Sequence, residues 1–190
     1  MMRPLTIATL LFTASLLPLA AHAQTGAPST PPTNVASVLL AQVESIEKSI
    51  TGVATEMPAD KYDFVPTGGA FRGVRSFAKQ IKHAAAVHHL VAATLLGEPV
   101  TAEMSDERGP DAAKTKDEVL RYLAESFAAL KRAVATVDVN NAFTPIKGVF
   151  GSAPDTRVGL IIVAISHSSN HYGQVVEYLR MNGLTPPRNP

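Results

Sequence analysis

The sequence predicts an all-α four-helix bundle with at least one crossover connection. Three observations carry this expectation. Four segments repeat apolar residues at helical spacing, and no segment sustains the alternation of a strand. The last two connections between those segments are also long enough to return along the bundle, whereas short ones would impose antiparallel neighbours.

Residues 1–23 read as a cleaved export signal. Arg3 gives the positive start, Leu5 to Leu19 form an apolar stretch interrupted by Thr, Ser and Pro18, and Ala21-His22-Ala23 is a small-x-small cleavage site. The stretch is short for a membrane span and no second one follows it, so no stable membrane anchor is expected. An exported bacterial protein, periplasmic or secreted, is implied. Cleavage before Gln24 leaves 190 − 23 = 167 residues, enough for one domain with a real core. Residues 24–34, QTGAPSTPPTN, have no apolar pattern and read as a disordered tether, leaving the domain at 35–190.

The first helix is expected from Val35 to Glu56, where Val38, Leu39, Val43, Ile46 and Ile50 recur at helical spacing, and Pro58 ends it. A loop with Pro66-Thr-Gly-Gly69 leads to a second helix over Val74–Leu96, stopped by Gly97. The third begins at Thr115, where Thr115-Lys-Asp-Glu118 fits a capping box, and its stripe of Val119, Leu120, Leu123, Phe127, Leu130 and Val134 carries it to about Val137. The fourth runs from near Asp155 to Asn182, closed by Gly183 and Pro186-Pro187.

Loss of Arg3 with the signal leaves 17 − 1 = 16 basic residues against 16 acidic. That balance argues against nucleic-acid binding, which needs a basic field. The chain has no cysteine, which removes disulfides, thiolate zinc sites and a cysteine nucleophile. Histidine and carboxylate chemistry remain.

Five histidines stay in the mature chain, and all fall on the second and fourth helices: His83, His88, His89, His167 and His171. His167 and His171, four apart, project from one face about one turn apart and form half of a metal site. His83 lies among Phe77, Ile81 and Leu90, so its imidazole is expected to be buried as a neutral, hydrogen-bonded or metal-bound group. Three imidazoles converging between two helices would suit a first-row divalent metal and leave a coordination position for water. His88 and His89 do not share the His83 face and are expected at the surface or helix rim, with His88 near enough to act outside the ligands. Zinc-peptidase chemistry is excluded: H-E-x-x-H requires Glu after the first histidine, and Ser168 stands there.

The stretch His167-Ser-Ser-Asn-His171-Tyr-Gly-Gln174, continuing through Leu179-Arg180, Gly183 and Pro186, resembles the C-terminal signature of the DinB-like proteins of the DinB/YfiT metalloenzyme superfamily. Upstream, Met57-Pro-Ala-Asp-Lys-Tyr62-Asp-Phe-Val-Pro66, then Arg75-Ser-Phe77 and His83, resembles the same family in the same order. The likeness spans nearly the whole mature chain. It implies a four-helix bundle whose metal is held between the second and fourth helices by His83, His167 and His171. Gln174, one turn beyond His171, is implied as an orienting residue, with Tyr172 placed beside the ligands. Tyr172 departs from the charged residue frequent there in the family, so no further role is carried over to it.

The resemblance implies a divalent transition metal, Zn or Ni in first place, with Fe, Mn or Cu as alternatives. Some relatives transfer or isomerise with low-molecular-weight thiols. The expected activity is therefore that of a metal-dependent hydrolase or thiol-transferase-like enzyme on a small molecule, with a homodimer allowed. Tyr172, Ser168 and Glu177 are available as general bases, but none stands out. The alternative is a non-catalytic metal-dependent small-ligand or metal-binding protein.

Overall fold

The computed structural model describes residues 32–150 and 155–187. The expected export signal and residues 24–31 of the expected tether lie outside the described residues. Helix α1 spans Val35–Glu56. Its start is set by Asn34, whose side chain accepts from the Ser37 amide at 2.8 Å while the Ser37 hydroxyl accepts from the Asn34 amide at 3.1 Å. Pro58 stops it, and a single 3-10 turn, Ala59–Lys61, follows. The carbonyls left open at the end of α1 are taken by side chains. Tyr62 Oη donates to Ala54 O at 2.6 Å, and Lys116 Nζ donates to Thr55 O and Met57 O.

Helix α2 spans Phe77–Leu96, begins at the Ser76 cap and ends at Gly97 with φ +69°. Val74 and Arg75 precede the helix rather than open it. Apolar side chains surround most of α2, so it is buried on nearly every side. A short helix α3, Ala102–Ser105, lies in the next connection. It has too few residues to show a periodicity in the sequence.

Helix α4, Lys116–Val134, has the expected capping box of Thr115 and Glu118. Asp117 and Glu118 near its start and Lys131 and Arg132 near its end both suit the helix dipole. A two-residue antiparallel ladder follows, pairing β1 (Pro145–Ile146) with β2 (Asp155–Thr156). Helix α5, Arg157–Met181, starts at the Thr156 cap.

Helix directions follow from bonds between the ends. Arg157 at the start of α5 donates to Leu95 O at 3.1 Å and to Thr136 Oγ1 at 2.7 Å, so the ends of α2 and α4 meet the beginning of α5. At the opposite end, Lys116 holds the last carbonyls of α1. Helices α2 and α4 are thus parallel, and Gly97–Lys114 is the expected crossover. The connection from α4 to α5 joins neighbouring ends instead, despite its similar length. Helix α2 packs against α4 and α5, and α1 packs against the same two from the other side. The core between them is built on Phe77, Ile81, Phe127, Leu130, Ile161 and Leu179. Among the described residues no helix is long and apolar enough to cross a membrane.

Candidate metal centre

Helices α2 and α5 run antiparallel, and three cross-contacts fix their register. His83 meets His167, Gln80 Nε2 donates to Gln174 Oε1 at 2.9 Å, and Tyr178 Oη donates to Arg75 O at 3.0 Å. The register brings the three expected ligands together. His83 Nε2 lies 3.0 Å from His167 Nε2, which lies 3.2 Å from His171 Nε2. A tetrahedral ion with bonds of about 2.0–2.1 Å would place its nitrogen ligands roughly 3.3 Å apart. His83 and His171 are buried and His167 is half-buried.

The electrostatics favour neutral rings with lone pairs free to ligate. Burial lowers the pKa of His83, against the opposing effect of its hydrogen bond to the Glu107 backbone carbonyl, and the Arg75 charge lowers it further. Burial likewise pushes His167 down to about 4, with His83 and Arg75 adding to the effect. His171 is pushed down to about 3 by burial, then by His167, His83 and Arg75. Neutral imidazole is the metal-binding form. Three such nitrogens within contact of one another are a donor set that a divalent cation fits.

The outer nitrogens differ. His83 Nδ1 donates to the backbone carbonyl of Glu107 at 2.6 Å, which leaves Nε2 as the lone-pair atom. The Nδ1 atoms of His167 and His171 are buried without a protein partner among the described residues. Of the three convergent rings, only His83 has its tautomer fixed by a partner among the described residues. Glu107 has φ +53°, rare for a residue with a side chain, and its carboxylate stands 3.7 Å from the same His83 nitrogen.

The crossover supplies this partner. Lys82 Nζ donates to Pro110 O at 2.9 Å and Ala113 O at 3.2 Å, holding the loop over α2. Gly109, with φ +67°, lets the loop approach closely: a Cβ there would stand 3.2 Å from Lys82 O and 3.0 Å from the Tyr122 ring. Gly109→Ala should destabilise the fold by about 1–3 kcal/mol, the usual cost of a strained backbone site. Displacing the Glu107 carbonyl should also weaken metal binding about tenfold. Urea unfolding and a zinc titration of the variant check both effects, and wild-type values in both would refute the role of this loop.

One expectation about the remaining histidines is corrected. His88 is fully buried, not at the surface or rim. Its Nδ1 lies 3.1 Å from Ser126 Oγ and its Nε2 lies 2.5 Å from Ser168 Oγ. Ser126 Oγ donates to Leu123 O at 2.7 Å, so it accepts from Nδ1–H, and the Ser168 hydroxyl then donates to Nε2. The face of α2 away from the ligands points into α4 rather than into water. His89 is half-buried, with its ring centroid 4.9 Å from that of Tyr122.

Gln174 bonds Gln80 and, at 2.6 Å, Asn170 Oδ1, joining α2 to α5 beside the centre rather than contacting a ring nitrogen. Tyr172 is half-buried against the edge of the apolar core. Sequence reasoning missed Glu107, because a backbone carbonyl carries no residue-type signal. A polar triad of Ser126, His88 and Ser168 likewise had no spacing to announce it.

The chain resembles several solved structures. A DinB-like protein from Bacillus subtilis has 18% identity and a TM-score of 0.61, with 80% of this chain and 96% of that one covered. A DinB-like protein from Bacillus cereus ATCC 10987 has 14% identity and a TM-score of 0.63, covering 83% and 98%. A conserved protein from Enterococcus faecalis has 18% identity and a TM-score of 0.60, covering 78% and 97%. At these identities the likeness concerns the fold. A search of the curated proteins finds no match. The family profile of the DinB superfamily matches residues 42–175, which takes in α2, α4 and all three convergent histidines. With that match over most of its length, the chain belongs to the DinB superfamily.

Proposed function

We propose that this is an exported metal-dependent enzyme acting on a small molecule, of hydrolase or thiol-transferase-like type. The observation that carries the reading is the convergence of His83, His167 and His171, with Nε2 contacts of 3.0 and 3.2 Å. These three side chains would hold the ion, with Zn or Ni proposed first. A divalent cation held by only three protein ligands supplies Lewis acidity and lowers the pKa of a water or thiol that reaches it. The chain's own contribution is to keep the imidazoles neutral by burial and to fix His83 through the Glu107 carbonyl. The Glu107 carboxylate stands 3.7 Å from His83 Nδ1, the ring nitrogen that does not take part in the convergence.

That placement favours one second reading, a non-catalytic metal-dependent binding protein, because among the described residues no carboxylate is grouped with the three convergent histidines. Elemental analysis of natively purified protein and Co(II) absorption spectroscopy separate the two. Stoichiometric metal in a site with an exchangeable solvent ligand is the expected result. A closed ion ligated entirely by protein would overturn the enzymatic reading. The proposed export is checked by N-terminal sequencing of the mature protein from fractionated cells, with Gln24 as the expected first residue.

A further inference from the structure

The loop that fixes His83 also encloses a cavity of about 250 Å³ bounded by Arg75, Lys79, Lys82, Arg108 and Asp111. Four of these five residues are cationic. Two of the cations are already committed. Lys82 Nζ is held by Pro110 O and Ala113 O, and Arg108 is paired with Asp106 and with Asp111 at 2.9 Å. The pairing also neutralises the cavity's one acidic residue. Arg75 and Lys79 are exposed, and among the described residues neither has a carboxylate at ion-pair distance.

Their position relative to the metal centre follows from helix geometry. Lys79 lies one turn before His83 on the same face of α2, and Arg75 stands just ahead of the Ser76 cap. The Arg75 backbone is tied to α5 through Tyr178, so the residue is anchored at the junction of the two ligand-bearing helices. Its charge is felt by all three imidazoles. The first amides of α2 contribute little, because Phe77 N and Ala78 N already donate to Phe64 O and Tyr62 O. Side chains, not the helix terminus, provide the free positive charge.

We propose that this cavity binds the anionic group of a small ligand, a carboxylate or a phosphate, and so directs its reacting end to the three-histidine centre. Arg75 offers a planar fork suited to both oxyanions, and Lys79 adds a point charge. The volume, small for a ligand pocket, suits an anionic handle better than a whole large substrate. The handle's place in a reaction rests on the metal-dependent reading above, whereas the binding of an anion does not.

Calorimetric titration with malonate, inorganic phosphate and neutral malonamide, on metal-free and zinc-loaded full-length protein, tests this. Malonate or phosphate should bind and malonamide should not, and the tighter of the two anions identifies the preferred oxyanion. The double variant R75Q/K79Q should weaken anion binding about tenfold or more while zinc content stays unchanged. Lys48→Gln, on the exposed side of α1, should leave it unaltered. Double-variant affinity within twofold of wild type, or malonamide binding as tight as malonate, overturns the proposal. Malonate that merely chelated the metal would bind the double variant undiminished. Arg75- and Lys79-dependent binding to a protein that takes up no zinc would uphold the cavity and sink the metal reading alone.

Discussion

Replacing His171 with Ala should remove most of the thermal stabilisation expected from a divalent metal at the three-histidine site. Anything that binds only the folded state stabilises it by mass action, by about 4 kcal/mol when free ligand exceeds its Kd a thousandfold. For a domain of this size that corresponds to a rise in Tm of about 8–16 °C. His171 contributes one of the three nitrogens, and its Nε2 lies 3.2 Å from that of His167. Loss of a partner outside the ligand set commonly costs 10–100-fold in metal affinity. Loss of a ligand should therefore cost more than about 100-fold, enough to remove most of the shift at ordinary zinc concentrations. The metal-free fold should suffer little, about 1 kcal/mol, because among the described residues the His171 Nδ1 has no protein partner to lose. Thermal unfolding of wild type and variant, with and without zinc, reads both quantities. An undiminished zinc shift in the variant removes His171 from the ligand set. Unfolding of the metal-free variant would instead make His171 a packing residue.

His88 should have the opposite signature, large for stability and small for the metal. Its ring is fully buried, with its centroid 4.4 Å from that of Phe127, and it links Ser126 on α4 to Ser168 on α5. His88→Ala opens a cavity and strips the buried Ser168 hydroxyl of its acceptor. The combined cost is about 3–5 kcal/mol, a large part of the 5–15 kcal/mol that holds a typical domain folded. Burial, reinforced by the charges of His167 and His89, pushes the His88 pKa down to about 3. The unfolded value is about 6.5. Between these values the unfolded chain binds a proton that the folded chain refuses, so stability falls as pH drops from about 6.5 towards 3. The stability is complete above that window, and the slope for one such group reaches about 1.4 kcal/mol per pH unit. Urea unfolding of the metal-free protein at pH 7, 6 and 5 measures it. His88→Leu, which keeps the volume filled, should flatten the dependence by up to one proton. A variant with the wild-type slope would show that His88 does not titrate with folding.

The helices were legible because their signals are local. Asn34 and Pro58 bracket α1 at the expected residues, and Thr115 with Glu118 starts α4 where the capping box required. The expected start of α2 at Val74 is early by a few residues, because the Ser76 cap and the tie from Tyr178 to Arg75 hold that segment extended. The end of α4 falls at Val134 rather than Val137, since the chain turns there on local bonds from Thr136 to Ala133 and from Val137 to Val134. Convergence of His167 and His171 was readable from a spacing of four on one helix. His83 was offered as the third ligand by its apolar surroundings and then by the family likeness, but no pattern within α2 states which helix will face it.

His88 marks where sequence reasoning fails for a physical reason. Its spacing from His83 placed it off the ligand face, and on an ordinary surface helix that direction leads to solvent. Helix α2 is enclosed by both α4 and α5, so the same direction leads into a second buried contact. By itself, the sequence determined which segments are helical and which histidines share a face, because periodicity and caps act over a few residues. Only the tertiary structure decided which of two similar connections crosses the bundle, and that path sets the Glu107 carbonyl on His83 and brings Arg108 beside Arg75, Lys79 and Lys82. Contacts of that kind depend on the course of the backbone in space, and a backbone carbonyl is the same in every residue.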